Sequence, residues 1–169
     1  VIHNPALASV EEHDATSATF VIEPLHAGYG NTLGNSLRRV LLSSIEGGAL
    51  TAFRVEGASH EFSTIPGVKE DVVDIMLNLK NVKLNVSSDA PVELRLEKKG
   101  TGVVTAADIK ANADVEVINP DQIIATIDDP KTTVAMDLVA EAGRGYRTIE
   151  DSSSKRLHSD MIALDALFS

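Results

Sequence analysis

The sequence predicts an α+β fold, and three observations carry that prediction. Between residues 82 and 140, five runs alternate apolar and polar residues: "VKLNV", "PVELRLEKKG", "DVEVI", "QIIATI" and "TTVAMDLVA". They are separated by "SSDA", "GTG", "NPD" and "DDPK", which is the chemistry of turns, so the region reads as a series of short strands. Two earlier segments, 33–45 and 68–79, instead place their apolar residues at helical spacing.

The elements follow in order. "SATFVIEPL" (17–25) reads as a strand, broken by Glu23 and Pro24 before a glycine turn at Gly28, Gly30 and Gly34. Asn31 or Thr32 is the expected N-cap of the first helix, whose stripe is Leu33, Leu37, Val40, Leu41, Ser44 and Ile45. Gly47 and Gly48 are expected to stop it. "ALTAFRVEG" and "HEFST" read as a strand pair around Gly57, and "IPGVKEDVVDIMLNLK" turns at Pro66-Gly67 into the second helix, with the stripe Val68, Val72, Ile75, Met76 and Leu79. Thr105 to Asp108 has the pattern of a capping box and one helical turn. Residues 47–140 thus form a strand-rich α+β unit. "EAGRGYRTIEDSSSKRLHSDM" (141–161) is rich in Gly, Ser and charge and reads as a long exposed arm, before "IALDALFS" ends in mid-pattern.

Composition restricts function. The 169 residues are 43% apolar and 24% charged, without an 18-residue apolar run or a basic-then-apolar leader, and the reading is a cytoplasmic protein with no membrane contact. There is no cysteine, which excludes disulfides and thiolate chemistry. The net charge is −10, and the 15 Lys and Arg are dispersed in short pairs. Binding to a phosphate backbone scales with the phosphates neutralised and needs a basic stripe, so contact with DNA is expected only indirectly. The aromatics Phe20, Tyr29, Phe53, Phe62, Tyr146 and Phe168 are too few for a base-stacking platform.

The glycines raise one enzymatic alternative. A dinucleotide fingerprint needs G-x-G-x-x-G between a strand and a helix, with an acid about 20 residues on. Gly28, Gly30 and Gly34 approach this with the third glycine one place late, and Glu56 could serve the ribose. A Walker loop fits worse, since no G-K-[ST] follows. The structural alternative is a tight strand-to-helix turn needing positive φ.

The first helix also has a second face. At 100° per residue, Asn35, Arg39 and Leu42 project opposite the stripe centred near Leu37, and Arg39 and Leu42 are neighbours at i, i+3. An apolar anchor beside a fork of donors suits a protein partner. On the second helix, Val73 and Leu77 lie off the stripe with Lys80 on their flank, a second doubly used helix.

These residues carry a resemblance. "FVIEPLHAGYGNTLGNSLRRVLLSS", "HEFSTIPGVKEDVVDIMLNLK", "LRLEKKGTGVVTAADI" and "GRGY" resemble, in order, the N-terminal domain of the bacterial DNA-directed RNA polymerase alpha subunit. The resemblance implies two subdomains: a helix-plus-strand dimerisation part, of which 1–46 is the N-terminal portion, and an inserted strand-rich α+β subdomain, 47–169, contacting the large polymerase subunits. Relatives continue past the position of Ser169 through a returning strand to a second dimer helix, so the dimerisation part is expected to be incomplete here. By the same resemblance, Leu33, Leu37, Val40, Leu41, Ser44 and Ile45 form the interface between two alpha copies. Arg39 and Leu42 would engage the beta subunit and Lys80 the beta prime subunit, with Asn35 and Arg38 in the same matching motif. The implied role is a non-catalytic assembly scaffold of a nucleotidyltransferase complex active in transcription.

Other constellations are read structurally. The five histidines, His3, His13, His26, His60 and His158, have no metal-ligand spacing, and "EEHD" (11–14) reads as a solvated turn. Asp128-Asp129 and Glu70-Asp71 fall at a turn and a helix start, where carboxylates stabilise backbone N–H groups. No G-x-S-x-G occurs. No catalytic residue, cofactor or metal site is assigned to this chain. The resemblance places the Mg²⁺ of nucleotidyl transfer in the partner subunits.

Overall fold

The computed structural model describes residues 4–15, 17–147 and 161–168. The chain divides into two compact units, Val1–Leu41 and Leu42–Ser169, and the division falls inside the first helix.

The first unit holds a hairpin of β1 (Ala6–Asp14) and β2 (Ser17–Glu23), antiparallel with bulges near Leu7/Ser9 and Glu12/Asp14, and most of α1 (Tyr29–Ser44). "EEHD" is therefore the end of a strand and not a turn; His13 reaches across the hairpin to Thr19 Oγ1 at 2.8 Å. The helix starts at Tyr29, ahead of the expected cap at Asn31 or Thr32. Gly28 alone of the three glycines takes positive φ (83°), so the turn needs one glycine there, while Gly30 and Gly34 lie within the helix.

The second unit is built on a sheet of six strands. β3 (Glu46–Val55), β4 (Leu84–Val86), β5 (Val92–Lys99), β7 (Val115–Val117) and β9 (Thr133–Arg144) are ordered β5-β9-β3-β4-β7, and β11 (Ile162–Ala163) also pairs with β3. All these pairings are antiparallel. β6 (Gly102–Thr105) and β8 (Ile123–Ile127) make a separate pair, and β10 (Tyr146–Arg147) pairs with β12 (Ala166–Leu167). The single turn at Ala106–Asp108 carries the expected capping box from Thr105. "HEFST" forms turns and not a strand.

The core forms where the predicted stripe of α2 (Val72–Leu79) meets the sheet. Val72, Ile75 and Leu79 are fully buried with Phe53, Leu96, Ile124, Met136 and Leu138, and Met76 and Val68 pack at the margin. Burying each such side chain contributes about 1.5–3 kcal/mol. The acids before this helix divide their work: Asp71 caps it, accepting from Asp74 N at 2.8 Å, while Glu70 accepts from both N and Oγ1 of Thr126 on β8, at 2.6 and 3.0 Å. Both roles satisfy N–H or O–H donors, as read from the sequence.

Gly47 and Gly48 do not end the helix. They lie in β3, where a Cβ on Gly47 would strike the backbone carbonyl of Phe168, and one on Gly48 would come 2.7 Å from Leu84 O. Close approach of backbone selects glycine at both positions. Residues 141–147 are likewise not a loop, because Glu141–Arg144 completes β9 opposite Ala49–Glu46, and Tyr146–Arg147 forms β10. Gly143 is needed there for Phe168, whose ring lies 2.9 Å from where its Cβ would be. The rest of the expected arm, 148–160, lies outside the described residues.

The other face of the central strands carries charge. Cross-strand neighbours Arg54, Asp137 and Arg95 form a row in which Asp137 binds Arg54 Nη2 at 2.5 Å and Arg95 Nη1 at 2.9 Å, and Arg95 continues to Glu56 and Glu97. Burial pushes the Asp137 carboxyl up, but the bonds from Arg54 and Arg95 outweigh it and hold the pKa below the usual carboxylate range. A lowered native pKa stabilises the fold above the unfolded value near 3.9, and that stability is lost as pH falls through the lower, native value. Asp137→Asn is therefore expected to cost about 2 kcal/mol at pH 7 and to flatten the stability curve below about pH 4, read by urea melts across pH. A curve with the wild-type acid limb would refute this.

Candidate protein-docking site

The first helix has the composition of a buried element and the exposure of a surface one. None of its residues is buried. Leu37 is 46%, Val40 55%, Leu41 53% and Ile45 49% exposed; Ser44 is exposed and Leu33 half-buried. Four large apolar groups left half in water on one stripe exceed the scattered exposure ordinary for a surface. The stripe is thus not buried in the single chain. The hairpin behaves alike, with Leu7, Val10, Phe20 and Val21 exposed, and no described residue of the first unit is buried. An isolated two-stranded hairpin is marginal in water, so this unit needs more apolar cover than its own residues supply.

The opposite face is polar with one anchor. Asn35, Arg38, Arg39 and Leu42 fall within an arc of about 100°, all exposed, Leu42 at 44%. The helix has no acid in its first turn, and its only charges are Arg38 and Arg39.

Lys80 belongs to the second unit, at the C-cap of α2, where its backbone N–H donates to Met76 O and Asn78 O. Leu77, one turn earlier, is 50% exposed and Val73 half-buried, so this flank is open in the single chain. The ammonium of Lys80 lies 3.9 Å from Asp165 Oδ2. Asp165 also accepts a hydrogen bond from Tyr146, which pushes the phenol pKa up. Neither Asp165 nor Tyr146 was singled out from sequence, because one lies in the unfinished "IALDALFS" pattern and the other in the supposed loop.

The dinucleotide alternative does not survive the geometry. Its glycines do not form one loop, since two are helical, and β2 and β3 each pair antiparallel with other strands, so no parallel βαβ unit frames them. Glu56, the proposed ribose acceptor, is ion-paired with Arg95 at 2.8 Å. Among the described residues no helix is long and apolar enough to cross a membrane.

Fold and surface define the class first: an antiparallel α+β domain joined to an exposed helix with two distinct faces. The family model of the RNA polymerase Rpb3/RpoA insert domain matches residues 52–169, and the chain belongs to that family. It is 50% identical over 155 residues to a DNA-directed RNA polymerase subunit alpha of Alkaliphilus metalliredigens, covering 92% of this chain and 49% of the relative. It is 48% identical over 168 residues to that of Oceanobacillus iheyensis (99% and 53%), and 51% identical over 149 residues to that of a Roseiflexus species (88% and 46%). The chain spans about half the length of these curated relatives.

Proposed function

We propose that this chain is the assembly scaffold part of a bacterial DNA-directed RNA polymerase alpha subunit, working in the cytoplasm in transcription. Residues 1–46 serve dimerisation and 47–169 form the insert. Two copies bury the Leu33, Leu37, Val40, Leu41, Ser44 and Ile45 stripe against each other. The opposite face, Asn35, Arg38, Arg39 and Leu42, recruits beta, and Lys80 contacts beta prime. The chain contributes surfaces and no catalytic group; the metal-dependent chemistry belongs to the partners, and DNA is met through the complex. The observation that carries this reading is the helix with an exposed apolar stripe on one side and an arginine-leucine face on the other, in a chain half identical to alpha subunits.

The test is capture. Arg39→Ala or Leu42→Asp is expected to leave the thermal midpoint unchanged, because neither residue is in a buried core, while weakening co-purification of beta by about tenfold. Capture at the wild-type level by both variants would refute the assignment of that face.

A further inference from the structure

We propose that Asp165 is a positioning residue: it holds the Lys80 ammonium on the surface of the insert in the orientation used for docking, and Tyr146 holds Asp165. This rests on the reading above that Lys80 contacts a large polymerase subunit.

The three groups come from separated parts of the chain. Lys80 ends α2, Tyr146 lies in β10, and Asp165 lies between β11 and β12. Fixed packing surrounds Asp165 on both sides. Leu164 is fully buried, with its N–H donating to Thr51 O at 2.9 Å, and Ala166 is buried beside Ala49 and Phe168. Tyr146 pairs with Leu167 in the β10–β12 ladder, so the strand that bears the phenol is registered directly against the segment that bears the carboxylate. The acid is thus on a rigid support, while Lys80 has a four-carbon stem and an exposed Leu77 one turn before it.

A partly exposed ion pair contributes little to stability: the Lys80 and Asp165 side chains are 32% and 30% exposed. Its effect lies in order. At 3.9 Å the contact is an ion pair longer than a hydrogen bond, so Asp165 biases where the ammonium lies while its three donors stay available to acceptors of a partner. A side chain already held loses less freedom on binding than a free one, which strengthens association without any new contact. The partner surface that fits is an acceptor-bearing, carboxylate or carbonyl, edge beside an apolar group that covers Leu77.

The experiment is a double-mutant cycle in the complete alpha subunit, measuring the affinity for the beta prime subunit of wild type, Lys80→Ala, Asp165→Ala and the double variant, with thermal midpoints as controls. Asp165→Ala is expected to weaken binding about two- to tenfold, the factor for ordering one long side chain, with an unchanged midpoint. In the Lys80→Ala background the same change is expected to have no further effect. An equal loss in both backgrounds would show an independent contact and overturn the inference. Wild-type affinity of Asp165→Ala beside a weakened Lys80→Ala would also overturn it, leaving the Lys80 reading intact. Wild-type affinity of Lys80→Ala would remove both. Should Asp165→Ala fail to fold, Tyr146→Phe decides by the same criteria, since it deletes one exposed hydroxyl.

Discussion

Leu37→Asp together with Leu41→Asp is expected to convert the proposed alpha dimer to monomers while the second unit keeps its fold. The two leucines lie one turn apart on the exposed stripe, 46% and 53% accessible, and neither belongs to a buried cluster. Burying a leucine contributes about 1.5–3 kcal/mol, and an unpaired carboxylate in its place adds a desolvation cost. Because a symmetric interface repeats each substitution, dimer affinity should fall by well over about 100-fold. Sedimentation of the complete subunit over a concentration series reads this directly, with the thermal midpoint of the insert as control. Dimers persisting at wild-type concentrations would sink the assignment of the stripe.

The second large effect is expected inside the second unit, at the two glycines beneath Phe168. Gly47 and Gly143 are register partners on adjacent strands and leave a smooth place on the sheet, on which Phe168 is 2% exposed. Gly143→Ala puts a methyl 2.9 Å from the Phe168 ring, closer than carbon atoms normally approach. The ring must shift or leave, at a cost of about 1–3 kcal/mol. Phe168→Ala loses a buried aromatic, about 3 kcal/mol. In the Phe168→Ala background, however, Gly143→Ala should be neutral or stabilise by up to about 1 kcal/mol, since the obstruction is gone and alanine restricts the unfolded strand. Chemical denaturation of the four proteins checks the cycle. Additive losses would mean that the ring and the glycine do not meet as described.

The same glycines explain where sequence reasoning stopped. Gly47-Gly48 and Gly143-Arg144-Gly145 have the composition of a helix stop and a loop, and by local rules those were sound readings. Four of these five residues, Gly47, Gly48, Gly143 and Arg144, lie within strands, and the glycines among them are required by backbone or a ring arriving from residues 84 or 168. That requirement is nonlocal, and no window of neighbouring residues contains it. The hairpin strand at 6–14 was hidden for a related reason: its apolar residues find no core in this chain, so "EEHD" lacked the inward alternation that marks a strand.

The candidate site was legible to different depths. Helical spacing alone separated Leu37 and Val40 from Arg39 and Leu42, because the angle between residues on a helix is fixed by its geometry. It could not tell a stripe that packs on its own fold from one left open, since periodicity records which side is apolar and not what covers it. The place of Lys80 on the flank of the second helix is legible in the spacing, but not its link to Asp165 and Tyr146, 85 and 66 residues further along the chain.

By itself the sequence determined the α+β class, the two helices with their faces, most of the strand series and the family resemblance, because each is written in local periodicity, turn chemistry or contiguous motif. Only the tertiary structure decided that no residue of the first helix is buried, that the late glycines accommodate Phe168, and that the Asp165 carboxylate lies beside Lys80. Those facts depend on which distant segments meet, and local periodicity does not record it.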